Sequence, residues 1–327
     1  VSKDIYELIT ARFVEQLKKG NVPWQKPWMG VQNIVSKKPY RGINALILGG
    51  SEFQSPYWLT FKQAHDLDGK VKKGEKATPV IYYKLFEKRD DHGNLVLGSN
   101  GRPTRIPFIR WSNAFNLDQT EGIAPPAQSQ PVVQNPLHPL EKAAKIVEEA
   151  KICPIYHTGF AAVYSPGEDV IRMPAQKTFR SPESYYQTLF HEMTHSTGHA
   201  SRLDREGVTL PIKFGSERYS KEELIAELGA SFLSNEAGIL NQVQFDNSAA
   251  YLGSWIEKFQ NDPKMIFTAS SQAQRSTDFI LGVEQKESLG ESQSPAGLAT
   301  PTEVPALAQK IPGQTTQTRD IHGGIHL

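Results

Sequence analysis

His191-Glu192-Met193-Thr194-His195, set inside a stretch of helical periodicity, constrains this chain more than any other feature. Two histidines four apart on an α-helix differ by about 40° in azimuth, so both imidazoles leave one face and can share an ion. The glutamate between them projects beside that ion, placed to take the proton of a metal-bound water. Leu189, Phe190, Met193 and Thr197 occupy the other sides, which leaves a polar strip on a core-seeking helix. Such a strip either receives a further ligand from elsewhere in the fold or is a solvated His/Glu face.

The longer pattern HExxHxxGxxH is incomplete here. Gly198 is in place, but Ser201 stands where a third histidine belongs. His199 is too nearly in line with His191 and His195 to close a tetrahedron, and it follows a helix-ending glycine. The segment Ser220 to Leu233 offers a carboxylate instead. Ser220 with Glu223 three residues on reads as a capping box, which commits Glu223 to the backbone of the first turn. Glu227 lies one turn deeper among Leu224, Ala226, Leu228 and Ala230, where a charge is costly without a metal or cation. Glu227 is therefore the expected third ligand; the competing reading is a helix-face Glu paired with Lys or Arg. A two-His, one-Glu set predicts zinc, although imidazole and carboxylate also accept other divalent ions such as Mn²⁺.

The chain has 327 residues, enough for two ordinary domains. It has no run of eighteen apolar residues and no signal-peptide pattern, so a cytoplasmic protein without a membrane partner is expected. A single cysteine, Cys153, excludes an intramolecular disulfide and a Cys-rich zinc ribbon. The net charge of +1 conceals a division: residues 1–120 hold 19 Lys and Arg against 11 Asp and Glu, the remainder 17 against 24. Between the halves runs a Pro/Gln-rich stretch without periodicity. The expected organisation is a basic domain over 1–120, a linker over 121–139, an acidic domain over 140–285 and a low-complexity tail over 286–327.

Four of the five tryptophans, at 24, 28, 58 and 111, lie in the basic half, interleaved with lysines. Bases stack on aromatic faces while cations follow phosphates, which suits single-stranded nucleic acid better than duplex reading. The same residues also fit a plain account, with Trp24 to Trp28 as a core or turn element and Lys70 to Lys76 as a solvated hairpin. Periodicity predicts a helix over Ile5 to Leu17, a strand or turn at Trp58 entering a helix, and β-runs at Pro79 to Phe86 and Arg105 to Trp111. In the acidic half it predicts strands near Ala161–Tyr164 and Val170–Met173. Helices follow over Leu140–Lys151, Pro182–Thr197, Lys221–Ala237, Ala249–Asn261 and Pro263–Leu281. The fold class expected is α+β: a small basic α+β domain, then a mainly helical domain in the zincin order.

The run Trp24…Pro27-Trp28, Tyr40-Arg41-Gly42-Ile43-Asn44, Trp58-Leu59-Thr60-Phe61 and Gly69 to Glu75 resembles the single-stranded DNA-binding domain shared by ArdC-type plasmid antirestriction proteins and TraC-type primases. The run Asp169 to Pro174, Thr188 to His195 and Glu222 to Glu227 is similar to the zincin-like metallopeptidase domain of the ArdC type. The resemblance implies His191, His195 and Glu227 as metal ligands and Glu192 as general base, hence a gluzincin-like zinc peptidase. As in zincin edge strands, Val170–Met173 is expected to hold an extended peptide by strand addition; nearness in sequence makes Tyr164 or Tyr219 the expected oxyanion donor, and Asp204 or His199 is expected to orient a ligand imidazole. Trp24, Trp28, Tyr40, Arg41, Asn44, Trp58, Lys70, Lys72 and Lys73 are the expected DNA contacts, with Trp58 also fitting a core position. The implied partners are single-stranded DNA entering by conjugation and a DNA-bound protein substrate such as a restriction component. A non-enzymatic protein that coats DNA, its metal site structural or idle, is the alternative.

Overall fold

A computed structural model describes residues 4–25, 30–98, 103–126, 138–158, 160–210, 216–239 and 248–283. The first half runs α1 (Ile5–Lys18), β1 (Gln32–Asn33), α2 (Ile43–Gly49), β2 (Tyr57–Leu59), α3 (Phe61–Asp66), β3 (Lys70–Val71), β4 (Thr78–Glu87), β5 (Arg105–Asn116) and β6 (Thr120–Glu121). The second runs α4 (Pro139–Ala150), β7 (Ile155–Tyr156), β8 (Val163–Ser165), β9 (Val170–Arg172), α5 (Pro182–Ser196), α6 (Glu206–Thr209), α7 (Glu217–Ala237), α8 (Ala249–Asn261) and α9 (Met265–Ile280). The architecture is α+β, with a β-rich first part and a mainly helical, zincin-like second part. The tail over 286–327 and Trp28 lie outside the described residues.

The first part is built on a sheet of order β1-β2-β5-β4. Its long ribbon pairs Thr78 with Ala114 through to Glu87 with Arg105. Alternation divides the ribbon: Ile81 is buried among the helices with Ile109 packed against them, while Val80 faces a separate core with Trp58, Leu48 and Ala114. Patterning did not foresee α2. Its Asn44 is buried and brackets Ile81, accepting from the Ile81 amide and donating to its carbonyl, each at 2.7 Å. A buried amide held on both sides splices the helix to the strand.

In the second part β9 is the middle strand of β7-β9-β8, parallel to β7 and antiparallel to β8. Its ladder groups are taken on both edges, so Val170–Met173 cannot add a peptide strand as expected; β8 is the edge strand beside the α5 helix. The pair α5 and α7 carries the core. Gly229 makes their approach possible, because a Cβ there would lie 2.5 Å from Thr194.

The two parts share a core. Ile5, Ile9, Phe13 and Leu17, one apolar stripe of α1, join Trp24, Leu46 and Ile81 with Leu224, Leu228, Phe259 and Phe267 in one buried cluster. Thr10 donates to the Pro263 carbonyl at 2.6 Å, Arg41 pairs with Asp278, and Gly42 donates to Gln274 at 3.0 Å. The first helix of the basic half thus packs within the helical half. No described helix is long and apolar enough to cross a membrane.

Candidate metal centre

The α5 helix starts where Ser181 accepts from the Ser184 amide and Pro182 supplies a preset φ. Tyr185, Leu189, Phe190 and Met193 bury one side of it, which turns His191 and His195 toward α7. The Nε2 atoms of the two imidazoles lie 3.1 Å apart. Glu223 completes the group, Oε2 at 3.6 Å from His191 Nε2 and Oε1 at 3.7 Å from His195 Nε2. Ligand bonds of about 2.1 Å in a tetrahedral site give edges of about 3.4 Å, so the three donors outline one face of such a site. Their side chains are 24%, 15% and 30% exposed, which leaves solvent a route to a further coordination position. Two imidazoles and a carboxylate in this arrangement form a divalent-metal site.

Glu223, and not Glu227, therefore joins the histidines. The expectation failed on the start of α7, which lies one turn earlier than the capping-box reading placed it. Ser216 is the N-cap and accepts from the Tyr219 amide at 3.3 Å, so Ser220 and Glu223 lie inside the helix. Freed from the cap, Glu223 faces His191. Glu227 is held elsewhere: its Oε2 accepts from the Trp24 indole at 3.1 Å and from the Tyr251 hydroxyl at 2.5 Å.

Behind the ligands stands a support that patterning missed. His195 Nδ1 lies 3.2 Å from Glu222 Oε1, the partner expected to be Asp204 or His199; His199 instead meets Ser201 at 2.8 Å. Glu222 is gripped by buried Arg205 through Nη2 to Oε1 at 2.6 Å and Nε to Oε2 at 3.0 Å. An imidazole donating Nδ1–H to a fixed carboxylate presents Nε2 as its free lone pair. The sequence signal was available, since Glu222 precedes Glu223 and so points to a neighbouring face of the same helix.

The electrostatics fit cation binding. Burial disfavours charge on His191, but its bond to Glu223 and the nearby Glu192, Glu223 and Glu227 outweigh that and raise its pKa. Burial likewise pushes Glu223 up, yet the His191 bond and both imidazoles hold it below the usual carboxylate range. In Glu222, the His195 bond and Arg205 overcome burial, and its pKa is lowered. Burial dominates for Glu227, whose pKa is raised.

Glu192 is buried beside the ligands, and its Oε2 accepts from the Tyr164 amide of the edge strand β8 at 2.7 Å. The Tyr164 hydroxyl is turned away and donates to Asp169 at 2.8 Å, which removes it as an oxyanion donor. Tyr219, hydrogen-bonded to Glu223, remains at the site.

The expected DNA contacts scatter. Trp24 and Trp58 are 1% and 0% exposed and Asn44 is 1% exposed, so these three are internal and make no surface contact. Arg41 is paired with Asp278, and Tyr40 accepts from Asn33 at 3.4 Å. Lys70, Lys72 and Lys73 are exposed; Lys70 lies 3.2 Å from Glu121, and Lys72 donates to the Asp118 carbonyl at 2.7 Å. A half-exposed aromatic face lies on the outer β4–β5 ribbon. Tyr82, Phe86 and Phe108 share one face there, with ring centroids 6.1 Å and 5.6 Å from Phe108 and the Arg110 guanidinium 5.0 Å over the same ring.

The fold and site define a zincin-like metallopeptidase domain joined to an α+β companion. Residues 141–272 match the family described as zincin-like metallopeptidase, and residues 3–115 match the N-terminal domain of anti-restriction factor ArdC. Two crystal structures of the antirestriction ArdC protein from plasmid R388 are similar over most of the chain. The metal-free one is 33% identical with a TM-score of 0.64, covering 85% of this chain and 96% of that one. The Mn(II)-bound one is 32% identical with a TM-score of 0.66, covering 85% and 97%. The chain belongs to the ArdC antirestriction family. It is also 37% identical over 301 residues to the DNA primase TraC of Escherichia coli, covering 87% of this chain but only 20% of the primase. A further relative, the uncharacterized protein y4eC of Sinorhizobium fredii, is 32% identical over 295 residues, 85% of this chain and 91% of that protein.

Proposed function

We propose that this chain binds single-stranded DNA entering by conjugation and uses its metal centre to hydrolyse a peptide bond in a DNA-bound protein, such as a restriction component. The observation that carries the reading is the His191, His195 and Glu223 group with Glu192 alongside. These three side chains would hold zinc, the ion the zincin likeness favours, or manganese, as in the R388 relative. Either ion supplies Lewis acidity that lowers the pKa of a bound water. Glu192 would take the proton of that water on the oxygen left free by the Tyr164 amide and pass it to the leaving amine. The Tyr219 hydroxyl, held at Glu223, would be a donor for charge developing on the scissile carbonyl. The proposed compartment is the cytoplasm of a bacterium carrying the plasmid, where entering DNA meets restriction enzymes.

Support for DNA binding lies in the basic balance of residues 1–120 and in the face of Tyr82, Phe86, Phe108 and Arg110, which offers π-surfaces and a cation to an unpaired strand. Phe86→Ala should lower oligonucleotide affinity by about 1–3 kcal/mol, with added salt weakening the wild type steeply. Unchanged affinity in that variant would remove the ribbon from the interface.

One observation favours the non-enzymatic alternative, DNA coating around an idle metal: half of the Glu192 carboxylate is already occupied by a backbone amide. Glu192→Ala separates the two readings. It should keep metal and DNA binding and lose protection of unmodified DNA in a conjugation assay, whereas full protection by this variant would defeat the hydrolytic account.

A further inference from the structure

One turn along α5 from His191, and one turn along α7 from Glu223, a cavity of about 350 Å³ opens between the two parts of the chain. Gln187 and Thr188 of α5 and Glu227 of α7 line it, closed by Trp24 and Gln25 of the short 3-10 turn Pro23–Gln25 and by Tyr251 of α8. His191 forms part of its wall, so the cavity adjoins the metal centre. Its volume lies at the low end for a small-molecule pocket and suits one long side chain.

The cavity wall carries a carboxylate, and among the described residues no Lys or Arg lines it. Both bonds to Glu227 fall on Oε2, from Trp24 and Tyr251, and Oε1 has no hydrogen bond among the described residues. Gln25 Oε1 is buried with no partner. Gln25 Oε1 is thus a buried acceptor left unsatisfied at the cavity wall, which costs free energy, and Glu227 Oε1 remains open to a donor from the cavity. The Trp24 wall is fixed, since its ring stands edge-on to Trp255 and Phe259 at 6.1 Å and 6.0 Å. A group with several N–H donors and a positive charge suits a wall of this kind, and charge-assisted bonds to a carboxylate are the strong kind.

We infer that this cavity is a specificity pocket that receives the arginine or lysine side chain of a peptide residue next to the bond presented to the metal centre, with Glu227 and Gln25 as its recognition groups. The inference rests on the peptidase reading for its substrate and on the cavity alone for its selectivity. The substrate class it names is a basic peptide segment, the kind of surface with which proteins hold DNA.

Amino-acid hydroxamates test it by binding alone. Arginine hydroxamate, its uncharged counterpart norleucine hydroxamate, and acetohydroxamate, which has no side chain, are titrated into the Mn(II)-loaded full chain by calorimetry. The wild type should bind the arginine compound at least about tenfold tighter than the norleucine compound. In Glu227→Gln the two should come within about twofold, while acetohydroxamate binds as before. Gln25→Leu, at the pocket rim and apart from the helices, should cut the preference about threefold and guards against a folding defect in the first variant. Equal affinity for the two side chains in the wild type, with acetohydroxamate bound, overturns the pocket and leaves the metal centre standing. Failure of all three compounds to bind overturns the pocket together with the peptidase reading.

Discussion

Glu222 fixes which nitrogen of His195 is offered to a metal, although it touches no metal position itself. Its two oxygens take Arg205 and its Oε1 also meets His195 Nδ1, in a pair whose side chains are 6% and 5% exposed. Removing one charge from such a pair strands the other, at a cost of about 3–5 kcal/mol. Glu222→Gln should therefore lower stability by that order in chemical unfolding and weaken metal affinity by about 10–100-fold. Unchanged metal affinity in a folded variant would show that His195 is oriented by something else. The histidines and Glu192 were legible in the sequence because their spacing alone sets their common face. Glu223 was not, because serines at 216 and 220 both fit a cap and the choice between them rests on tertiary packing. Trp24, Trp58 and Asn44 misled for a related reason: composition places aromatics in a half of the chain but not on its surface.

The elements at the site are held by one clamp. Arg202 donates to the Ser196 carbonyl at the end of α5 at 2.8 Å, to Ile152 at 3.3 Å, and to Asp169 before β9 through Nη1 at 3.0 Å. It ties the ligand helix to the ribbon whose edge amide holds Glu192. The Arg202 bond, with help from Tyr164, outweighs burial and keeps the Asp169 pKa below its ordinary value. A depressed carboxylate contributes stability above its unfolded pKa of about 3.9 and loses it as pH falls through the folded value. Asp169→Asn is a mild change for the backbone, whose φ of 53° at this residue asparagine tolerates. It should lower Tm at pH 7, with the gap to wild type closing as the pH drops below about 4; a gap that persists in acid would contradict the charge-based account. Element types were largely legible because α5, α7, α8 and β4 carry long, clear periods. Strand order was not: Val170–Met173 reads as a strand from its residues, but nothing local states that it has a neighbour on each side.

At the scale of the whole chain, the charge division does not coincide with the packing. The first helix lies in the core of the acidic half, and Arg41 reaches across to Asp278. The 3-10 turn at Trp24 walls a cavity beside the metal centre. A strand bound to the β-rich part and a peptide held at the metal would therefore share one rigid frame, which suits a protein that acts on what is bound to the DNA it holds. Everything in that account depends on the metal being held by His191, His195 and Glu223. Metal content of the purified full chain, measured for the wild type, Glu223→Ala and Glu227→Ala after equilibration with Zn²⁺ or Mn²⁺, tests this directly. The account predicts about one ion per chain in the wild type and Glu227→Ala and loss of the ion in Glu223→Ala; retention in Glu223→Ala with loss in Glu227→Ala would contradict it.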